Sequence, residues 1–229
     1  MTSDATPHRR IRSFVRREGR ITPAQQRALS ELWPRYGIEL GAGLLDLESH
    51  FGRQAPRMLE IGFGNGDALA AMAAAHAEID YLGVEVHRPG VGHLLQELAA
   101  RQISNVRVIA VDAVEVLTQL PDASLAAVHL FFPDPWPKKR HHKRRLVQTP
   151  FVECVRHKLA IGGVFLLATD WEDYAAAMVE VLSQVPGFEN TAGTESFSER
   201  LPQRPLTRFE RRGHRLGHVV RDLSYRRVA

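Results

Sequence analysis

Cysteine is nearly absent: Cys154 is the only one in 229 residues. That excludes an intrachain disulfide and any cysteine-based metal cluster, and it fits a reducing cytoplasm. Long apolar runs are absent as well. None approaches the ~20 residues of a membrane span, and the arginine-rich beginning is not followed by the apolar stretch of a secretory signal. No internal repeat occurs, and the histidines and carboxylates show no metal-ligand spacing. Neither a membrane nor a metal is expected as a partner.

What is present is the composition of an ordinary globular protein. Hydrophobic residues make up 44% and charged residues 24% of the chain, enough for a sizeable core. The length suits one α/β domain with short appendages. Lys and Arg number 30 against 26 Asp and Glu, a net charge of +4 that permits a polyanionic partner without requiring one. The distribution says more than the total. Arg9, Arg10, Arg12, Arg16, Arg17 and Arg20 crowd the beginning, and further basic clusters lie mid-chain and near the end, with most of the acids between them. Residues 1–33 read as a basic flexible arm with one short helix at most, and residues 34–229 as a single domain.

From Arg57 onward, short apolar runs bounded by Gly, Pro or Asp alternate with helical patterns, the mark of a parallel sheet built from right-handed crossovers. The runs predict strands over 58–61, 81–86, 106–111, 125–131 and 164–168. Helices are expected over 67–76, 90–102, 113–120, 146–159 and 171–184. Past Pro186 the pattern changes to two further strands, 188–191 and 216–225, separated by a polar, arginine-rich loop. The expected architecture is a mostly parallel, Rossmann-like α/β sheet of seven strands with helices on both faces and a C-terminal antiparallel hairpin.

In such sheets ligands bind beyond the carboxyl ends of the strands. The first predicted strand runs into Glu60-Ile61-Gly62-Phe63-Gly64-Asn65-Gly66-Asp67, whose glycines allow close backbone approach to a ligand. The spacing Gly-x-Gly-x-Gly is one residue short of the dinucleotide fingerprint. The preceding carboxylate suits the ammonium group of a methionine moiety better than a pyrophosphate. Glu85 ends the second strand, in position to grip a vicinal diol, and Asp112-Ala113 follows the third, where the carboxylate can accept from an adenine amino group or simply cap the next helix. Three acids closing three successive strands are harder to explain as caps than any one alone.

After the fourth strand comes Phe132-Pro133-Asp134-Pro135-Trp136-Pro137. Prolines stiffen the backbone there. Phe132 and Trp136 can stack on an unstacked base while Asp134 accepts from its edge, although a structural turn around a buried tryptophan would use the same residues. Next stands Lys138-Lys139-Arg140-His141-His142-Lys143-Arg144-Arg145, a density of charge that suits phosphate contacts carrying no sequence information.

These residues resemble one family, the bacterial tRNA (guanine-N7)-methyltransferases, from about Arg57 to the C-terminus. The telling segments are Phe132-Pro133-Asp134-Pro135-Trp136 with its basic continuation, Ala168-Thr169-Asp170-Trp171-Glu172-Asp173-Tyr174-Ala175, and Thr207-Arg208-Phe209-Glu210-Arg211-Arg212-Gly213 leading to His218. The resemblance implies a class I methyltransferase fold, S-adenosylmethionine as cofactor, tRNA as partner and a guanine of the variable loop as acceptor. It further implies that Glu60, Gly62, Gly64, Gly66, Glu85, Asp112, Ala113 and Asp134 line the cofactor or reaction site, with Asp134 as the catalytic residue. Lys138, Arg140, His141, His142, Lys143, Arg144, Arg145, Asp170, Thr207, Arg208, Phe209 and Glu210 would meet the RNA. Two departures stand out: Pro137 where the family is expected to carry histidine, and His142 where asparagine is common.

Three rival readings remain at this point. Methylation of an exocyclic amine uses an acid or amide followed by two prolines and an aromatic, whereas Asp134-Pro135-Trp136 has one proline there. A non-catalytic RNA clamp on the same fold has no physical reason to keep three acids in its cleft, and a nicotinamide-dependent oxidoreductase is disfavoured by the glycine spacing. Cys154, His87 and His218 read as structural. Monomer and homodimer are both compatible with the sequence.

Overall fold

The computed structural model describes Ser13, 19–194, 196–200, 204–206, 208–215 and 217–229. The helices are α1 (Pro23–Glu31), α2 (Trp33–Tyr36), α3 (Leu47–Phe51), α4 (Asp67–Ala75), α5 (Arg88–Ala100), α6 (Ala113–Gln119), α7 (Thr149–Lys158), α8 (Glu172–Gln184) and α9 (Arg208–Arg215). The strands are β1 (Arg57–Ile61), β2 (Asp80–Val84), β3 (Val106–Ile109), β4 (Leu125–Phe131), β5 (Leu159–Thr169), β6 (Phe188–Asn190) and β7 (Arg221–Arg227). They form one sheet in the order β3-β2-β1-β4-β5-β7-β6. The first five are parallel, and β7 enters antiparallel between β5 and β6.

Both faces of the sheet are covered, which is why its central strands are almost uniformly apolar. Leu59, Val128, Phe165 and Leu167 pack with Leu117, Val152 and Leu182 from α6, α7 and α8. On the other face Tyr81 and Val108 pack with Leu69, Leu94, Leu95 and Ala28 from α4, α5 and α1. Local signals set the helix starts. Thr22 and Gln25 form a reciprocal capping box before α1, at 3.2 and 2.9 Å, and Asp46 caps α3 through the Ser49 amide at 3.0 Å. Buried Asn105 donates to the carbonyls of Ala73, His76 and Ile79, pinning the end of α4 beside β3.

Three segments differ from the sequence reading. Strand β5 begins at Leu159 rather than 164, because Leu159 already pairs with Leu125 and the stretch around Gly162, at φ 82°, is absorbed as an irregularity before Val164 pairs with Ala127. Residues expected as a polar loop form α9, and β7 starts at Arg221. No apolar periodicity announces α9, and among its described side chains the carboxylate of Glu210 is turned inward, 1% exposed. Within the segment read as an arm, Pro23–Glu31 is α1, seated against α5 where Gly92 brings the two backbones together: a Cβ there would lie 2.9 Å from both Gln25 Cβ and the Gln25 carbonyl oxygen.

That contact generates a prediction. Helix propensity favours any side chain over glycine inside α5 by about 1 kcal/mol, but the clash opposes it. Gly92→Leu should displace α1 and lower the unfolding free energy by about 1–3 kcal/mol, read from the midpoint of a urea melt.

Candidate active site

The chain leaves β1 towards β2 and β3 on one side, whereas β4 lies on the other, so a crevice opens at the carboxyl ends of β1 and β4. It has two lobes that share Gly62, Phe131 and Phe132. One, of about 210 Å³, is lined by Glu85, Asp112, Ala113 and Asp134. The other, of about 280 Å³, is lined by Glu60 and the Gly62–Ala68 turn. The structure thus gathers all the expected cleft residues around one opening.

Each acid is held differently. Glu60 is 4% exposed, and among the described residues its Oε2 has no hydrogen-bond partner. Burial, followed by the charge of Glu85, pushes its pKa up to about 8. Such a carboxyl is stable as a neutral acid or beside a cation. Glu85 is fixed at the rim: Oε1 accepts from the Val86 and His87 amides at 2.7 and 2.9 Å, and Oε2 from the Gly64 amide at 2.9 Å. Asp112 does cap α6, accepting from the Val114 amide at 3.0 Å, while also lining the cleft. The cap and the ligand reading therefore coexist.

The three glycines of the turn all have positive φ, but they do different work. Above Gly62 and Gly64 a Cβ would meet nothing within 4 Å among the described residues, the condition for close ligand approach. At Gly66 it would strike Leu94 at 2.7 Å, so that glycine serves the packing of α4 on α5. Gly90, which sequence reasoning missed, completes the turn: a Cβ there would lie 2.1 Å from the Gly64 carbonyl oxygen. Two glycines inside a predicted helix were the available signal.

The loop after β4 is strained. Phe132 and Trp136 adopt φ of 53° and 47°, conformations that cost about 1–3 kcal/mol each in residues with side chains. The Phe132 amide donates to the Ala168 carbonyl at 2.7 Å. Trp136 Nε1 donates to the Ser13 carbonyl at 3.0 Å, His141 meets its ring edge-on at 6.0 Å and the Arg144 guanidinium covers it at 4.8 Å. The indole expected to stack on a base is thus engaged within the protein. Asp134 stands exposed at the lip of the cleft.

The basic run forms a 3₁₀ helix over Lys139–Arg144. Lys138, Lys139, Arg140 and Lys143 face solvent, and Arg144, His141 and His142 are half-buried. Partial desolvation and then the surrounding cationic charges hold His141 below its ordinary pKa. Arg145 departs from the expectation of a backbone-gripping residue. It is 6% exposed, pairs with Asp173, donates to the Pro135 carbonyl at 2.9 Å and lies 4.7 Å over Tyr174. Its fixed fork ties the loop to α8 instead of meeting solvent.

At the end of β5, Asp170 pairs with His218 at 2.9 Å. Glu210, expected to face substrate, is turned inward with both carboxylate oxygens on Arg204. Arg208 and Phe209 open α9, but their side chains and the whole of Thr207 lie outside the described residues. Arg204 is a further residue that sequence reasoning missed, because one arginine among many carries no mark of burial. Among the described residues no cluster of His, Cys, Asp and Glu could hold a metal, and no helix is long and apolar enough to cross a membrane.

Comparison with known proteins adds three findings. A family model described as "Putative methyltransferase" matches residues 54–223. The chain is 62% identical to the tRNA (guanine-N(7)-)-methyltransferase of Alkalilimnicola ehrlichii, over 97% of this chain and 95% of that one. It is 53% identical to the protein of that name from Hydrogenovibrio crunogenus, over 100% and 96%. Among solved structures, 16S rRNA methyltransferase KamB superposes with a TM-score of 0.58 at 16% identity, covering 85% of this chain and 99% of that one. The antibiotic-resistance methyltransferase Kmr gives 0.54 at 19%, over 80% and 92%. The structural likenesses establish the fold.

The unpartnered acid makes a prediction of its own. Because the folded pKa of Glu60 is raised from 4.5 to about 8, the protein loses stability as pH climbs through that window. Glu60→Gln removes the loss. Its unfolding free energy should match the parent near pH 4.5 and exceed it by a margin that widens up to about pH 8, checked by urea melts across the range.

Proposed function

The chain belongs to the bacterial tRNA (guanine-N(7)-)-methyltransferase family, and from that premise we propose that it transfers a methyl group from S-adenosylmethionine to N7 of a guanine in the variable loop of tRNA. The observation that carries the reading is the pairing, in one cleft, of an unsatisfied buried carboxyl at Glu60 with the strained Phe132–Trp136 loop that presents Asp134. The fit to the cofactor is chemical. Glu60 would face the ammonium of its methionine moiety, Glu85 its ribose hydroxyls and Asp112 the adenine amino group, with the open backbone at Gly62 and Gly64 between them. Bound there, the cofactor supplies an electrophilic methyl group on a sulfonium sulfur.

Guanine N7 carries a lone pair and no proton. It forms the new bond to the methyl carbon as the carbon–sulfur bond breaks, and no general base is required. Positioning therefore carries most of the rate. The purine gains positive charge along the way, so the Asp134 carboxylate stabilises the transition state more than the ground state. Lys138, Lys139, Arg140 and Lys143, exposed to solvent, would meet phosphates of the RNA, and Asp170 is read as a further substrate residue. Arg145 ties that loop to α8 through Asp173. The protein is read as cytoplasmic, acting as monomer or homodimer, with the arginine-rich segment 1–33 towards the RNA.

Incubation with unmodified tRNA and S-adenosylmethionine, followed by borohydride reduction and aniline, should cut the product at one variable-loop guanine. Methyl uptake without cleavage would point to an exocyclic amine instead. Asp134→Asn should lower kcat by about a hundredfold while leaving cofactor affinity within a few-fold, as single-turnover and equilibrium binding measurements would show. Replacing Lys139, Arg140 and Lys143 together by alanine should flatten the dependence of log affinity on log salt by about 2–3 units, measured by filter binding with intact tRNA.

A further inference from the structure

Arg204 is among the largest fully buried side chains of the protein, at 2% exposure. Its guanidinium is divided between two elements. Nη1 and Nη2 donate to Glu210 on α9 at 2.7 and 2.8 Å, and Nε and Nη2 donate to Asp222 on β7 at 2.9 and 3.1 Å. Arg200 adds a donation to the Arg204 carbonyl at 2.6 Å and a contact to Glu210 at 3.4 Å. Two cations thus face two carboxylates, the condition under which buried charge is tolerated. The face of the Arg204 guanidinium covers Phe131 and Phe132, 5.6 and 5.4 Å from their ring centres. Register explains the meeting: Phe131, Ala168 and Asp222 are neighbours across β4, β5 and β7, and the small side chain of Ala168 leaves room between ring and carboxylate.

Those two rings line both lobes of the cleft, and Phe132 is the strained residue two positions before Asp134. We propose that Arg204 is a positioning residue: it clamps α9, through Glu210, and β7, through Asp222, onto the Phe131–Phe132 wall, and so sets where Asp134 stands relative to the methyl acceptor. The proposal rests on the acceptor-side reading of Asp134 given above. A buried ion pair is weak evidence for a gain in stability, since apolar residues of equal volume often serve as well. Geometry is the stronger argument. A planar fork can satisfy two carboxylates while covering two rings, and an ammonium cannot.

Arg204→Lys keeps the charge and removes the fork. It should leave cofactor Kd within about twofold, raise KM for tRNA and lower kcat by about tenfold or more. Hydrogen exchange should quicken in peptides covering Phe132 and α9 while β1, β2 and β3 keep their protection. Asp222→Asn, which leaves the pair between Arg204 and Glu210 in place, should repeat the pattern at smaller amplitude, and it carries the test alone if Arg204→Lys does not fold. Unchanged kcat together with unchanged exchange at Phe132 would overturn the proposal. So would a uniform loss, in which cofactor affinity and the protection of β1–β3 fall together, because that marks a merely structural role. If the unaltered protein left guanine N7 unmethylated, the functional reading would fail by itself, and the exchange pattern would still decide for or against the clamp.

Discussion

A carboxyl group kept out of water at the end of the central strand is the constraint around which this cleft is organised. Glu60 gains nothing from its position in the unliganded protein, since burial and the neighbouring Glu85 both oppose its charge. Two apolar layers, one on each face of the sheet, hold it there. Their burial, at roughly 25 cal/mol per Å², is what makes one uncomfortable acid tolerable. Under the proposed function a cation would complete such a site, approaching over the glycine turn beside it.

The opposite wall follows a related logic with backbone strain in place of charge. Phe132 and Trp136 are held at positive φ by partners drawn from distant parts of the chain: the Ala168 carbonyl, the Ser13 carbonyl, and the guanidiniums of Arg144 and Arg204. Arg145 adds a bond to the Pro135 carbonyl. The arginines near the site therefore divide in two. Arg144, Arg145 and Arg204 use their planar groups to fix the aromatic loop, whereas Arg140, with Lys138, Lys139 and Lys143, presents charge to solvent. Strain on one wall and desolvation on the other are both forms of preorganisation.

Much of this was legible in the sequence for identifiable reasons. The strands from β1 to β4 announced themselves as aliphatic runs because both of their faces are buried, and the acids at their ends were conspicuous because a carboxylate seldom follows such a run by chance. Helix α9 was not legible, since the described tie between it and the fold is the ion pair of Glu210 with Arg204, which leaves no apolar mark in the pattern. The same blindness sent Arg145 and Glu210 to the surface: residue type predicts exposure only on average, and paired charges escape the rule. Gly66 lines the cleft with its neighbours, and its freedom from a side chain also leaves room for Leu94. Pattern pointed to the cleft, and the partners of each side chain separated the residues that line it from those that support it.

The most direct test of the central claim is calorimetry of S-adenosylmethionine binding at pH 7 in buffers of different ionisation enthalpy. If the ammonium of the cofactor completes Glu60, its arrival ionises a carboxyl whose pKa stands at about 8. The observed enthalpy should then track the buffer with a slope of about one proton released, and Glu60→Gln should abolish the slope. Tight binding with no dependence on buffer would contradict the account, because Glu60 would then keep its proton and could not be the anchor of the cofactor.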